Sequence, residues 1–192
     1  MTQGFIPPHG GYAKLLSFRK AEIVFDATAY FCKRFLDKHN RTHDQMTQAA
    51  RSGKQNIVEG SQASGTSKEA EIKLTNVARA SLEELLTDYR DFLRSRGFDE
   101  WTRDHPYAQR LRELNRTPDA TYETFRKGIE HADPEVCVNV IIGLIKVTNY
   151  LLDQQIRRLE KDFLEQGGLR ERMTRARLAQ RNKPRKHTSE IG

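Results

Sequence analysis

Eight cations crowd the last 25 residues of the chain: Arg170, Arg172, Arg175, Arg177, Arg181, Lys183, Arg185 and Lys186, set against Glu171 and Glu190. Residues 168–192 therefore carry a net +6, whereas the other 167 residues, with 25 basic and 24 acidic groups, carry +1. A near-neutral body with a basic tail points to an electrostatic contact made by the tail. Each arginine can pair with a phosphate, so RNA or DNA is the partner this chemistry favours. The plainer reading takes the run as a solvated solubility device or an assembly strap. Leu169, Met173 and Ala176 give the tail only a weak apolar edge, which does not favour a membrane surface.

Other residues invite chemistry and fail on spacing. A di-metal bundle site needs inward Glu plus Glu-x-x-His pairs. Here Glu130 directly precedes His131, and no Glu-x-x-His occurs elsewhere. His39 and His43 are four apart, but Asn40–Thr42 reads as a helix break between them, so no metal site is expected. The stretch Gly60-Ser61-Gln62-Ala63-Ser64-Gly65 spaces two glycines as a phosphate-binding loop does. Thr66 stands where the phosphate lysine belongs, and a helix rather than a strand precedes the loop, so no nucleotide cofactor is expected. Glu59, Glu83 and Glu84 are the carboxylates to consider for acid–base work. Glu83 and Glu84 fall outside the apolar stripe and read as surface pairs. Cys32 and Cys137 sit among apolar residues, too few for a disulfide framework, and read as small buried side chains in a reducing cytoplasm. No catalytic constellation emerges, and a non-enzymatic protein is expected.

The elements that must position the tail are helical. From Thr66 to Arg96, Leu74, Ala78, Ser81, Leu85, Tyr89 and Phe92 recur at steps of three and four, with Leu82, Leu86 and Leu93 beside them. This is one face of an α-helix, begun by a capping box of Thr66 and Glu69 and stopped at Gly97. A first helix is predicted over Phe18–His39. A second starts at Thr42 with the inner face Met46, Ala49, Ala50, Gly53, Ile57 and Gly60, whose small residues admit a close neighbour. Asn56 flanks that face and is expected to reach Ser81. The short turn after Gly60 makes the second and third helices antiparallel neighbours.

Residues 97–133 are polar and broken by two prolines, with short helices expected at Pro106–Leu114 and Pro118–His131. They form an excursion whose Trp101, Tyr107, Leu111, Tyr122 and Phe125 cover one end of the body. The fourth long helix runs from Pro134, capped by Asp133, to Gln166 before Gly167-Gly168. Its Val136–Val147 segment is apolar on almost all sides. A four-helix bundle alone covers one side of such a helix, which argues for subunit contacts, with the excursion or the N-terminal arm as the alternative cover. A basic helix over Leu169–Asn182 follows, and Lys183–Gly192 reads as disordered.

The expected organisation is all-α: an N-terminal arm (1–17), an antiparallel up-down four-helix bundle (18–167) carrying the 97–133 excursion, and a basic C-terminal helical tail (168–192). No period-2 alternation suggests a sheet, Pro7-Pro8 interrupts any leader-like run, and no run approaches the ~18 apolar residues of a membrane span.

The blocks Asn56-Ile57-Val58-Glu59-Gly60 and Ala78-Arg79-Ala80-Ser81-Leu82-Glu83-Glu84 resemble the four-helix-bundle family first named for open reading frames in 23S ribosomal RNA intervening sequences. The family commonly has Gly where Ala80 stands. The likeness spans roughly Phe18 to Gln166. Phe5–Tyr12, Asn149–Glu160 and Gly167–Met173 resemble the subgroup with a four helix bundle suffix region. The resemblance implies an up-down bundle that assembles into a ring, often a pentamer, with no established enzymatic reaction. A related branch, the accessory variability protein of diversity-generating retroelements, is a basic pentamer that binds reverse transcriptase and nucleic acid. The neutral body and long excursion of the present chain depart from that branch. Two functions follow as expectations: a homo-oligomer that binds nucleic acid through its tail, or a scaffold or accessory subunit that engages a protein partner on the excursion or ring surface.

Overall fold

The structure is a computed structural model that describes residue 6 and residues 8–117 and 119–182. Every regular element among them is helical. The long helices are α1 (Leu16–Phe35), α2 (Arg41–Ala63), α3 (Lys68–Arg96) and α6 (Pro134–Gln166). The 97–133 segment contributes α4 (Pro106–Asn115) and α5 (Tyr122–Ile129), and the tail contributes α7 (Leu169–Arg181).

Local chemistry sets the ends, sometimes one residue away from the expected place. Asp133 caps α6 as anticipated, its carboxylate accepting from the Glu135 N–H at 2.9 Å, and Gly97 ends α3 in the left-handed region with φ +70°. The α3 cap is Ser67 rather than Thr66. Its Oγ accepts from the Ala70 N–H at 3.1 Å, while the Thr66 hydroxyl is turned back to the Ala63 carbonyl. Asn40, not Thr42, caps α2, accepting from the Thr42 N–H at 3.0 Å. Helix α1 starts two residues early and stops at Phe35, because Leu36 is already extended. Helix α5 starts at Tyr122, where the Thr121 N–H donates to the Thr124 hydroxyl. The expected start at Pro118 lies outside the described residues, and Asp119 beside it has φ +54°, which no helix accommodates.

The four long helices pack as a cycle: α1 with α2, α2 with α3, α3 with α6, and α6 with α1. Contacts at two levels along α2 and α3 show them antiparallel. The Ser52 and Ser81 hydroxyls meet at 3.0 Å, and Gly60 lies against Leu74 and Thr75. The expected Asn56–Ser81 contact is replaced by this serine pair, with Asn56 donating to the Ser52 carbonyl and hydroxyl. Every residue of the anticipated inner face of α2 is buried. A Cβ at Gly53 would stand 2.7 Å from the Leu82 side chain, so glycine there sets the helix separation. Phe31 of α1 packs edge-on to Tyr89 and Phe92 of α3, and the buried Tyr89 hydroxyl donates to Thr28 at 3.0 Å.

The 97–133 segment folds back over the first half of α6. Leu111, Phe125 and Ile129 are buried with it, and Leu111 lies over Gly143, where a Cβ would collide with it. Asn139 secures the connecting loop by accepting from the Trp101 N–H at 2.7 Å and donating to the Asp99 carbonyl at 2.9 Å. Glu100 pairs with both Arg90 and Lys146 and so ties α3, the loop and α6 together. The apolar girth of Val136–Val147 is thus covered within one chain, and it no longer calls for a second copy. One expectation needs amending: the helical stretch from Pro134 contains an 18-residue window of mean hydropathy 1.5, long and apolar enough to cross a bilayer, although 61% of that window is buried inside the protein.

Candidate nucleic-acid interface

Gly167 turns the chain out of α6. Its φ of +70° with ψ 177° is a backbone state essentially reserved for glycine. The next residue, Gly168, is the N-cap of α7, and the Glu171 carboxylate reaches back to accept from the Gly168 N–H at 2.6 Å. An acid in the first turn also suits the positive end of the helix. Around this start lie Thr66 and Ser67 from the α2–α3 turn and Glu69 from the first turn of α3. Beyond that foothold α7 leaves the body, and none of its residues is buried.

Five of the eight expected tail cations fall within the described residues, and the helix sorts them. Arg170, Arg177 and Arg181 follow at steps of seven and four, which places them on one face. At 1.5 Å per residue they span ~16 Å. Arg172 and Arg175 turn to the other side. The Arg175 guanidinium donates to the Gln166 carbonyl at the end of α6. The Arg172 Nε is buried without a hydrogen-bond partner among the described residues. Arg170, Arg177 and Arg181 form no ion pair among the described residues, so their charge is open to an external anion. Lys183, Arg185 and Lys186, and the disorder expected for 183–192, lie outside the described residues. The three-arginine stripe was readable from its spacing. The diversion of Arg175 was not, because it depends on the turn at Gly167.

The remaining candidates are dispersed. Cys32 and Cys137 are free and buried. Burial raises their thiols to about 11 and about 12 respectively, so neither is a ready nucleophile. His39 lies in the α1–α2 connection and is exposed, while His43 in the first turn of α2 contacts Asp44 at 3.3 Å. No cluster of three or more His, Cys, Asp or Glu able to hold a metal occurs among the described residues. Glu83 accepts from Asn149 at 2.9 Å, and Glu59 and Glu84 are exposed on separate helices. The glycine-spaced stretch is not an open phosphate cradle. Helix α2 runs through Gly60 to Ala63, the N-terminal arm bonds to it through the Gly10 N–H and the Ser61 carbonyl at 3.1 Å, and His9 and Ile6 pack over Gly65.

Comparison with known proteins finds no matching family model, no matching curated protein and no matching solved structure.

Proposed function

We propose that this chain is a non-enzymatic four-helix-bundle protein that binds RNA or DNA through its basic tail. The observation that carries the reading is the conformation of α7: a helix with no buried residue, directed away from a near-neutral body, with Arg170, Arg177 and Arg181 on one face. Phosphate recognition needs charge and reach more than a shaped pocket. Lys183, Arg185 and Lys186 extend the same charge along the chain. The cyclic packing of α1, α2, α3 and α6 supports the up-down bundle, with 18–167 as the body and 97–133 as an internal cover. That Cys32 and Cys137 are both free is in keeping with residence in a reducing cytoplasm.

Membership of the intervening-sequence family, and with it a homo-oligomeric ring, often a pentamer, rests on the Asn56–Gly60 and Ala78–Glu84 blocks. A ring would present several tails to one nucleic acid and raise avidity without new contacts. The test is fluorescence anisotropy with labelled RNA and DNA, comparing the full chain with a variant in which Arg170, Arg177 and Arg181 are serine. The reading expects at least tenfold weaker binding by the variant, on the order of 1.4 kcal/mol. Equal affinities would overturn it.

A second reading, a scaffold or accessory subunit with no nucleic-acid contact, is favoured by the apolar residues beside those arginines. Leu164 is 84% exposed, and Met173 and Leu178 are each 44% exposed. A complex purified from the native host that is dominated by one protein and survives nuclease treatment would support this reading over the first.

A further inference from the structure

The excursion does more than cover α6. Between α4, α5 and the start of α6 it leaves a cavity of about 510 Å³, within the range of small-molecule sites. Its apolar surface comes from Trp101, Leu111, Leu114, Phe125, Val136 and Val140. Trp101 is held in place by its backbone bond to Asn139 and by the His105 ring stacked on it at 4.7 Å and 8°.

The polar groups at the mouth are unbalanced in a way that selects a ligand. Arg110 is neutralised by Glu113 at 2.9 Å. The carboxylate of Glu123 is taken by Arg126, which donates to both of its oxygens at 3.0 and 3.1 Å. Lys127 forms no ion pair among the described residues and remains exposed. His131 accepts from the Asp133 N–H through Nδ1 at 3.1 Å. Its proton in the neutral ring is therefore on Nε2, which leaves a donor free. An apolar cavity with aromatic walls thus has at its rim one uncompensated cation and one free N–H donor.

We propose that this cavity binds a small aromatic carboxylate. Its ring seats against Trp101, Phe125 and Val140, and its carboxylate pairs with Lys127 and accepts from His131. This site is independent of the tail and its phosphate chemistry.

The chain has one tryptophan, so a single indole N–H cross-peak in a ¹⁵N-correlation spectrum reports on the cavity wall. The probe is 2-naphthoate, with the neutral 2-naphthamide as its charge control, titrated into the full-length protein. A saturable shift of the Trp101 signal is expected with naphthoate. Binding should be about fivefold weaker for naphthamide and about fivefold weaker in Lys127→Glu, the scale of one exposed charge pair. Val136→Phe, at a half-buried position on the wall, should abolish the shift while leaving the rest of the spectrum folded. The variant in which Arg170, Arg177 and Arg181 are serine should bind naphthoate as the wild type does. Absence of a saturable shift at millimolar naphthoate, equal affinity for acid and amide, or an affinity that follows the tail arginines instead of Lys127 would overturn the proposal.

Discussion

The Lys20 ammonium on α1 donates to the Asn115 side-chain oxygen at the end of α4, 2.9 Å away. It sits 4.6 Å from the centroid of the Phe125 ring on α5. One lysine therefore touches both helices of the excursion. It is only 2% exposed and has no carboxylate partner among the described residues, although the adjacent Arg19 pairs with Asp119 in the same region. The end of α4 offers the partial negative charge of a helix C-terminus in place of a counter-ion.

Burial pulls the Lys20 pKa down from 10.5 to about 8. A depressed lysine pKa means that between about pH 8 and 10.5 the unfolded chain binds more protons than the folded one. This group's contribution to stability therefore rises with pH across that window, and it is lost as pH falls through the folded value. Below pH 8 the buried charge costs on the order of 3 kcal/mol relative to the neutral amine. Lys20→Met should therefore gain its greatest advantage over wild type near pH 7, and that advantage should shrink towards pH 10.5. Urea unfolding of both proteins across this range measures the difference. A difference that does not change with pH would show an unperturbed Lys20.

Helix α2 packs against α3 at Gly53, beneath Leu82. Ala in place of Gly gains about 1 kcal/mol of helix propensity. The added methyl group would enter at 2.7 Å from a leucine that is fully buried. Overpacking of this kind costs ~1–3 kcal/mol, so the net effect of Gly53→Ala should be a loss of about 0–2 kcal/mol in denaturant unfolding. An increase in stability would mean that Leu82 has room to move.

These glycines show what could and could not be read from residue types alone. The small-residue face of α2 and the apolar stripe of α3 follow from spacing, and Asp133 and Gly97 end helices through purely local chemistry. The α3 cap escaped because Thr66 and Ser67 are adjacent hydroxyls of similar capping ability, and their choice depends on the Ala63 carbonyl. The excursion is legible in the sequence only as one alternative cover for α6, beside subunit contacts and the N-terminal arm, because Leu111 reaches Gly143 across 32 residues and no periodicity encodes such a contact. In the tail, the stripe of Arg170, Arg177 and Arg181 was legible as spacing. The capture of Arg175 was not, since it requires the backbone state of Gly167.

That state gives a further prediction. At Gly167 a Cβ would strike the Glu171 carboxylate that caps Gly168, and φ +70° adds backbone strain of about 1–3 kcal/mol. Gly167→Ala should loosen α7 while leaving the body nearly as stable, because α7 contributes no buried residue. Limited trypsin digestion should cut within α7 several-fold faster, with little change in the thermal midpoint. Unchanged cleavage would mean that the helix end holds without the glycine turn.

The salt dependence of nucleic-acid binding tests the central claim most directly. Each phosphate neutralised by an arginine contributes about 0.9 to the slope of log K against log salt on duplex DNA. If Arg170, Arg177 and Arg181 each engage a phosphate, their replacement by serine should lower that slope by about 2–3 and weaken binding most at low salt. A slope and affinity unchanged by the triple substitution would contradict the account and leave the basic tail without a role in binding.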